Sequence, residues 1–409
     1  MLQLGIRGLG IARFKFNPIS WFAKGEPGAW YDPSDLTTLF QDSAGTTPVT
    51  AVEQPVGLMK DKSGRGNHAF QATAGNRPVL SARVNLLTKT EDFSDVAWGY
   101  LVNSTRVDYQ TISFTGAGRF GMFGMSGITL GSSYTYSIEV KAGTKAGTIR
   151  LVDSNNPSPI AEVTLNSTWQ KLTFSYSPSG LVYFSLQNTD GNTGTVLVRN
   201  ADLRPTNSGA LLPPYQRVNT ASDYDTVGFP LYLKANGTSS AMSTNSIDFT
   251  STDKMTVVTG VRKLSDVTTS VIEELSIQSG ANSGSFYLIG PQTASGANYV
   301  AQSRGTVQAN AITNSTYAAP RSDVVTLMAS ISAPYIVLRI DSVEAAADSF
   351  TSQGSGNFGN YPLYLFARAG TSLYLNGQFY GAIIRGAQSD TASVTQTENY
   401  MATKTGITF

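Results

Sequence analysis

No cysteine occurs among the 409 residues, so disulfides and thiolate metal sites are excluded. His68 is the single histidine, which leaves almost no material for a histidine zinc site or a Ser-His-Asp triad. Charge is scarce as well: Asp, Glu, Lys and Arg make up 14% of the chain and nearly cancel, to a formal net charge of +1. That balance offers nucleic acid or an acidic substrate no global attraction. No apolar run approaches the roughly 18 residues of a spanning helix, so membrane insertion is not expected. Arg7, Arg13 and Lys15 interrupt the N-terminal apolar stretches before signal length is reached. The expectation is a soluble protein, made in the cytosol and released, if at all, by lysis.

Glycine, serine, threonine and asparagine fill the space that charge leaves, a composition that suits β-sandwiches with many turns. The length allows two or three domains with real cores. Residues 1–25 stand apart: Arg7, Arg13, Lys15 and Lys24 occur without an acid, interleaved with Leu, Ile, Phe and Trp21. This reads as an extended docking arm, with Arg7, Arg13, Lys15 and Trp21 as its contacts, or as a disordered start. Four cations are a weak footprint for nucleic acid.

Strand signals recur through the rest. Met255–Arg262 is β-branched and mostly apolar, as a strand buried on one face should be. Phe286–Ile289, Val324–Met328, Tyr335–Ile340 and Tyr361–Phe366 follow, separated by Gly, Ser, Asn and Pro clusters. Asn376-Gly377 between two apolar runs predicts a tight hairpin. Earlier, Tyr134, Tyr136, Ile138 and Val140 alternate onto one face, and Thr148–Val152, Trp169–Tyr176, Val182–Leu186 and Thr195–Arg199 continue the series. Asp190-Gly191 marks a turn between the last two. One helix is expected, over about residues 391–403, capped by Ser389 or Asp390, ended by Gly406, and packing Val394, Thr397 and Met401 on a sandwich edge.

The segment Gly28–Leu36 (Gly-Ala-Trp-Tyr-Asp-Pro-Ser-Asp-Leu), followed by Asp61–His68, resembles the opening of laminin-G-like, or concanavalin-A-like, sandwiches found in phage virion proteins. The pattern resumes at Tyr215–Asp225, Phe229–Leu233 and Ile247–Arg262. Between these, Asn85–Trp98 resembles the start of a carbohydrate-binding-module-like jelly roll common in phage tail and fibre proteins. The resemblance implies an all-β protein of two nested antiparallel β-sandwiches, or jelly rolls, with a C-terminal helix and an N-terminal arm. Residues 26–84 and 219–409 would form the outer sandwich and 85–218 the insertion.

That resemblance further implies a surface-exposed virion protein of fibre or receptor-binding type. Its partners would be host surface polysaccharide and, through the arm, other virion proteins, in a homo-oligomer for which a trimer is favoured. A capsid-decoration, tail or baseplate component without sugar affinity is the alternative. Sugars present apolar C–H faces and polar hydroxyls, so aromatic rings beside Asn, Asp, Gln and Arg are the expected partners. Trp98, Tyr100, Asn188 and Asp190 are the candidates, although a Trp98 packed with Phe93 in the core, and Asn188 and Asp190 as turn formers, are the plainer readings. Related folds bind calcium on the rim, making Asp32, Asp35 and Asp61 candidate ligands for that one cofactor. Against this, Lys234–Ser240 lacks the carboxylates that related sequences carry, keeping only Asn236, so Asp61 is more simply a turn former and His68 a satisfied polar residue at a strand start.

Catalytic sets are missing. Concanavalin-like glycosidases need carboxylates paired on one strand face, whereas Glu273 and Glu274 are adjacent and point oppositely. Neither a Gly-x-Ser-x-Gly elbow nor a phosphate loop occurs, and Gly354–Gly359 reads as a hairpin loop. No enzyme is expected.

Overall fold

The computed structural model describes residues 16–82, 85–125, 127–156, 159–206, 215–219, 231–277, 282–313, 317–333, 335–407 and 409. The protein is all-β, built from antiparallel sheets with a single C-terminal α-helix among the described residues. It divides into two compact units: one takes the described residues up to Pro48, Pro55–Pro78 and Tyr232–Phe409; the other takes Val49–Gln54 and Val79–Leu231.

In the first unit, one sheet runs in hydrogen-bonded order Val343–Asp348, Tyr335–Ile340, Arg321–Ser330, Lys254–Lys263, Asn376–Arg385, Tyr232–Asn236, and Gly28–Tyr31 also pairs with Asn376–Arg385. The other sheet has nine strands, with Asn360–Leu365, Val271–Leu275 and Ser285–Ile289 consecutive near its middle. The two make a sandwich. Phe366 meets Phe379 edge-on at 5.1 Å, and the Thr259 hydroxyl donates to the buried carboxyl of Glu273.

The helix spans Thr391–Thr405. The Asp390 carboxylate accepts from Ser393 N–H at 2.8 Å, and Gly406 ends it in the left-handed region at φ 71°. Val394, Met401 and Ala402 pack on Val258, Val324 and Ile383, and a Cβ on Gly260 would lie 2.6 Å from Thr405 Cγ2. Those are central strands, so the helix covers a sheet face and not the expected edge.

Two other expectations are corrected. Asn376 and Gly377 open one continuous strand, Asn376–Arg385, in register with Asn236 and Ala235, because the chain reverses earlier through Ala369 and Leu373 at positive φ. Gly354–Gly359 does not close a hairpin: the strand before it, Val343–Asp348, and the one after, Asn360–Leu365, belong to different sheets.

The docking role of Trp21 is corrected as well. Its indole is buried beside Trp30, with the Arg385 guanidinium 4.9 Å from the ring. Arg385 in turn grips the Glu26 carboxylate through two bonds of 2.7 Å, which ties this stretch to the sandwich. Arg7, Arg13 and Lys15 lie outside the described residues.

The second unit is a jelly roll whose strands run in order Ala161–Thr164, Thr148–Asp153, Phe184–Asn188, Thr111–Met122, Gly194–Pro205, Tyr134–Ala142, Gln170–Tyr176, with Tyr100–Arg106 pairing Thr111–Met122. The long strands bend it. Thr111–Met122 pairs with Gly194–Pro205 at one end and Phe184–Asn188 at the other, and a bulge between Arg199 and Asp202 turns the neighbouring strand. Tyr136, Ile138, Val140, Phe120, Phe184 and Leu186 fill the inside.

Candidate functional site

The four residues expected to meet sugar do not converge. Trp98 is 1% exposed, stacked on Phe93 at 4.7 Å and Phe120 at 5.8 Å, with its indole N–H donated to Lys89 O at 3.0 Å. It is a core residue, and its reading as a sugar platform is withdrawn. Asn188 is buried too, its amide bridging Gly116 O at 2.7 Å and Asn192 O at 2.9 Å.

Asp190 belongs to a cage of oxygens around an internal cation. The fully buried Lys145 ammonium meets Ala146 O at 2.9 Å, Thr148 O at 3.0 Å and both Asp190 oxygens at 3.1 and 3.2 Å. The backbone N–H groups of Thr148 and Asn192 complete the carboxylate's shell at 2.7 and 2.9 Å. Burial works against the charge, but these N–H donors and Lys145 hold the carboxyl below its ordinary range. Asp190 is thus structural, and the Asn188 amide N–H groups are spent on the backbone, while Asn188 Oδ1 has no partner and the residue lines the groove described below.

The calcium set is corrected in the same way. Asp32 meets the Lys62 and Lys404 ammoniums at 3.2 and 2.9 Å, and Asp35 shares Lys62 at 2.7 Å. Burial of Asp32 is outweighed by the Ser34 hydroxyl and the two lysines, which lower its pKa. Asp61 accepts from the N–H of Trp30, Ser63 and Asn67, the turn role it was alternatively given, and His68 Nδ1 accepts from Asp61 N–H at 3.0 Å. Among the described residues no three acidic or histidine side chains group as a metal site.

Tyr100 is half-buried at the surface and, unlike Asp190, is not tied up in an ion pair; what surrounds it was not foreseen. Its ring packs edge-on against Tyr183 at 5.1 Å and Phe123 at 6.5 Å, and Phe123 is 58% exposed. Cross-strand register extends this cluster along the outer sheet face. One row reads Tyr100–Gly121–Ser185–Val152 and the next Val102–Arg119–Gln187–Arg150–Glu162. Phe184 and Leu186 point into the core, so Ser185 between them points out.

Glycine shapes the strip. A Cβ on Gly121 would lie 2.1 Å from Phe184 O, so only glycine allows the neighbouring strand to approach this closely beside the rings. The Ser185 hydroxyl is buried there without a hydrogen-bond partner. Arg119 donates to the Tyr100 hydroxyl at 3.1 Å and, with Val102, Gln187 and Thr189, lines a shallow groove of about 350 Å³. From Tyr183 to Thr189 the strip is roughly 20 Å long at the rise of an extended strand. Rings next to planar polar side chains on a sheet face can seat a chain of sugar rings.

A larger cleft of about 470 Å³ lies elsewhere on this unit, but its cations are already matched: Lys89 by Asp95 at 3.4 Å, Arg199 by Glu139 at 2.6 Å, Arg217 by Glu91 at 3.3 Å.

No family model matches the chain, and no curated protein does. Among solved structures, the chain is similar to the CBM40 of the Ruminococcus gnavus IT-sialidase bound to alpha2,3 sialyllactose, at 13% identity over 36% of this chain and 83% of that one, with a TM-score of 0.30. The receptor binding domain of botulinum neurotoxin D matches at 11% identity over 43% of this chain and 45% of that one, TM-score 0.34. Trypanosoma rangeli sialidase in complex with the inhibitor DANA matches at 12% identity over 45% of this chain and 29% of that one, TM-score 0.33. At these scores no family is assigned.

Proposed function

We propose that this chain is a non-catalytic glycan-binding protein whose second unit carries the binding face. One observation supports it most: Tyr100, Tyr183 and Phe123 form an aromatic cluster at the surface, continuous with Arg119 and Gln187 on the same sheet face. Phe123 is 58% exposed with Tyr100 and Tyr183 half-buried beside it, an apolar patch of the kind that supports a binding role. No carboxylate pair stands on the two rows that form the strip, where Glu162 is the only acid and is held by Arg150.

The finer reading is a receptor-binding protein on the exterior of a phage particle, supported by the resemblance of Gly28–Leu36 and Asn85–Trp98 to segments of virion proteins. A glycan array probed with the wild type and Tyr183→Ala tests the binding role. Saturable signal that drops at least tenfold in the variant is expected; equal binding by both would move the site elsewhere, and no binding by either would leave a purely structural protein. Antibodies raised to the second unit should label intact particles.

A further inference from the structure

The arginines of this sheet face are not alike. Arg150 is neutralised by Glu162 across the neighbouring strand. Arg119, two strands away in the same row, has no carboxylate within ion-pair distance among the described residues. Among the described residues its guanidinium makes one hydrogen bond, to a neutral acceptor, the Tyr100 hydroxyl at 3.1 Å. A guanidinium carries five N–H donors and stays charged at every relevant pH, so most of this donor set is open.

Position sharpens the point. Arg119 is half-buried, it lines the groove, and it is bonded to a ring of the aromatic cluster. Gln187 flanks it in register and can serve a hydroxyl next to the charge. Ser185, one row nearer the rings, keeps its buried hydroxyl unpaired. A neutral sugar would leave the guanidinium facing nothing of opposite sign.

Resting on the glycan-binding reading above, we infer that the strip selects anionic saccharides. A sugar carboxylate or sulfate sits on Arg119, and the adjoining rings of the chain lie on Tyr100, Tyr183 and Phe123. Arginine suits this task because its planar fork matches both oxyanions in two-point contact.

The test uses the full chain and polymers that differ in charge alone. Calorimetry compares polygalacturonate with its methyl ester, and dextran sulfate with dextran, for wild type, Arg119→Gln, Arg119→Lys and Tyr183→Ala. The anionic member of at least one pair should bind tenfold or more tighter than its neutral partner, and the pair that responds tells carboxylate from sulfate. Arg119→Gln should erase that preference, Arg119→Lys should keep part of it, and raising salt should weaken only the anionic polymer. If Arg119→Gln fails to fold, the salt dependence of the wild type and the lysine variant decide. Equal binding of charged and neutral polymers would overturn the anionic preference and leave the glycan-binding reading intact. Binding of none would overturn both.

Discussion

Removing the charge of Lys145 should cost the second unit much of its stability. Lys145→Met keeps an unbranched apolar stem one atom shorter but withdraws the cation from four oxygen contacts, to Ala146 O, Thr148 O and the two carboxylate oxygens of Asp190. Charge-assisted bonds of this kind contribute about 1.5–3 kcal/mol each in isolation, and breaking a buried pair costs about 3–5 kcal/mol. The Asp190 side chain is 23% exposed and keeps its bonds from Thr148 and Asn192, so it rehydrates in part and the lower bound applies. A loss of about 3 kcal/mol, at a urea slope of about 2 kcal/mol per molar, lowers the unfolding midpoint of this unit by roughly 1.5 M. Hydrogen exchange in the strands Tyr134–Ala142 and Thr148–Asp153, followed through a urea series, reads that midpoint separately from the first unit. Adding Asp190→Asn to Lys145→Met should recover part of the loss, because the stranded carboxylate goes too. A midpoint shift under 0.3 M, on the order of half a kcal/mol at that slope, would refute the reasoning.

Three further outcomes are expected. Burial pushes the Glu273 carboxyl up to about 7, against the hydrogen bond from Thr259, while its ordinary value is 4.5. The folded chain therefore keeps a proton that the unfolded chain has released, so the contribution of Glu273 to stability is full below pH 4.5, falls by about 3 kcal/mol up to pH 7, and is flat above. Glu273→Gln should remove that slope in urea titrations at pH 5, 6, 7 and 8, and an unchanged slope would assign it elsewhere. Trp98→Ala should destabilise the jelly roll by about 3–5 kcal/mol, since the ring fills the space between Phe93, Phe120 and Phe184; a smaller loss in the same exchange assay would show that the site collapses. Arg385→Ala leaves Glu26 buried without its partner and bares the Trp21 ring, so thermal unfolding of the first unit should drop while glycan binding is unchanged.

Fold and site differ in how far they can be read from the residues alone. A short apolar run between turn clusters places Tyr335–Ile340 without error, and strict alternation places Tyr134–Ala142 to one residue. The helix follows from Asp390, Gly406 and the Val394–Met401 stripe. The strands that build the candidate site, Tyr100–Arg106 and Thr111–Met122, gave no such signal. Gly116, Gly118 and Gly121 interrupt the alternation in the second, and the first is bulged at Val102 and Ser104, with Asn103 at positive φ. Tyr183 and Phe123 come next to Tyr100 only through cross-strand register, which a linear pattern does not reveal. Acidic residues misled for the opposite reason: Asp32, Asp35 and Asp190 look available until the lysines that neutralise them arrive from distant segments.

The central claim is that the outer face of the strands Tyr100–Arg106, Thr111–Met122 and Phe184–Asn188 holds the ligand. Hydrogen exchange of the full chain, with and without the tightest-binding polymer from the calorimetry, addresses it directly. Slowed exchange in these three strands and little change in the first unit are expected. Protection confined to the first unit, or to the cleft around Tyr109 and Arg217, would contradict it.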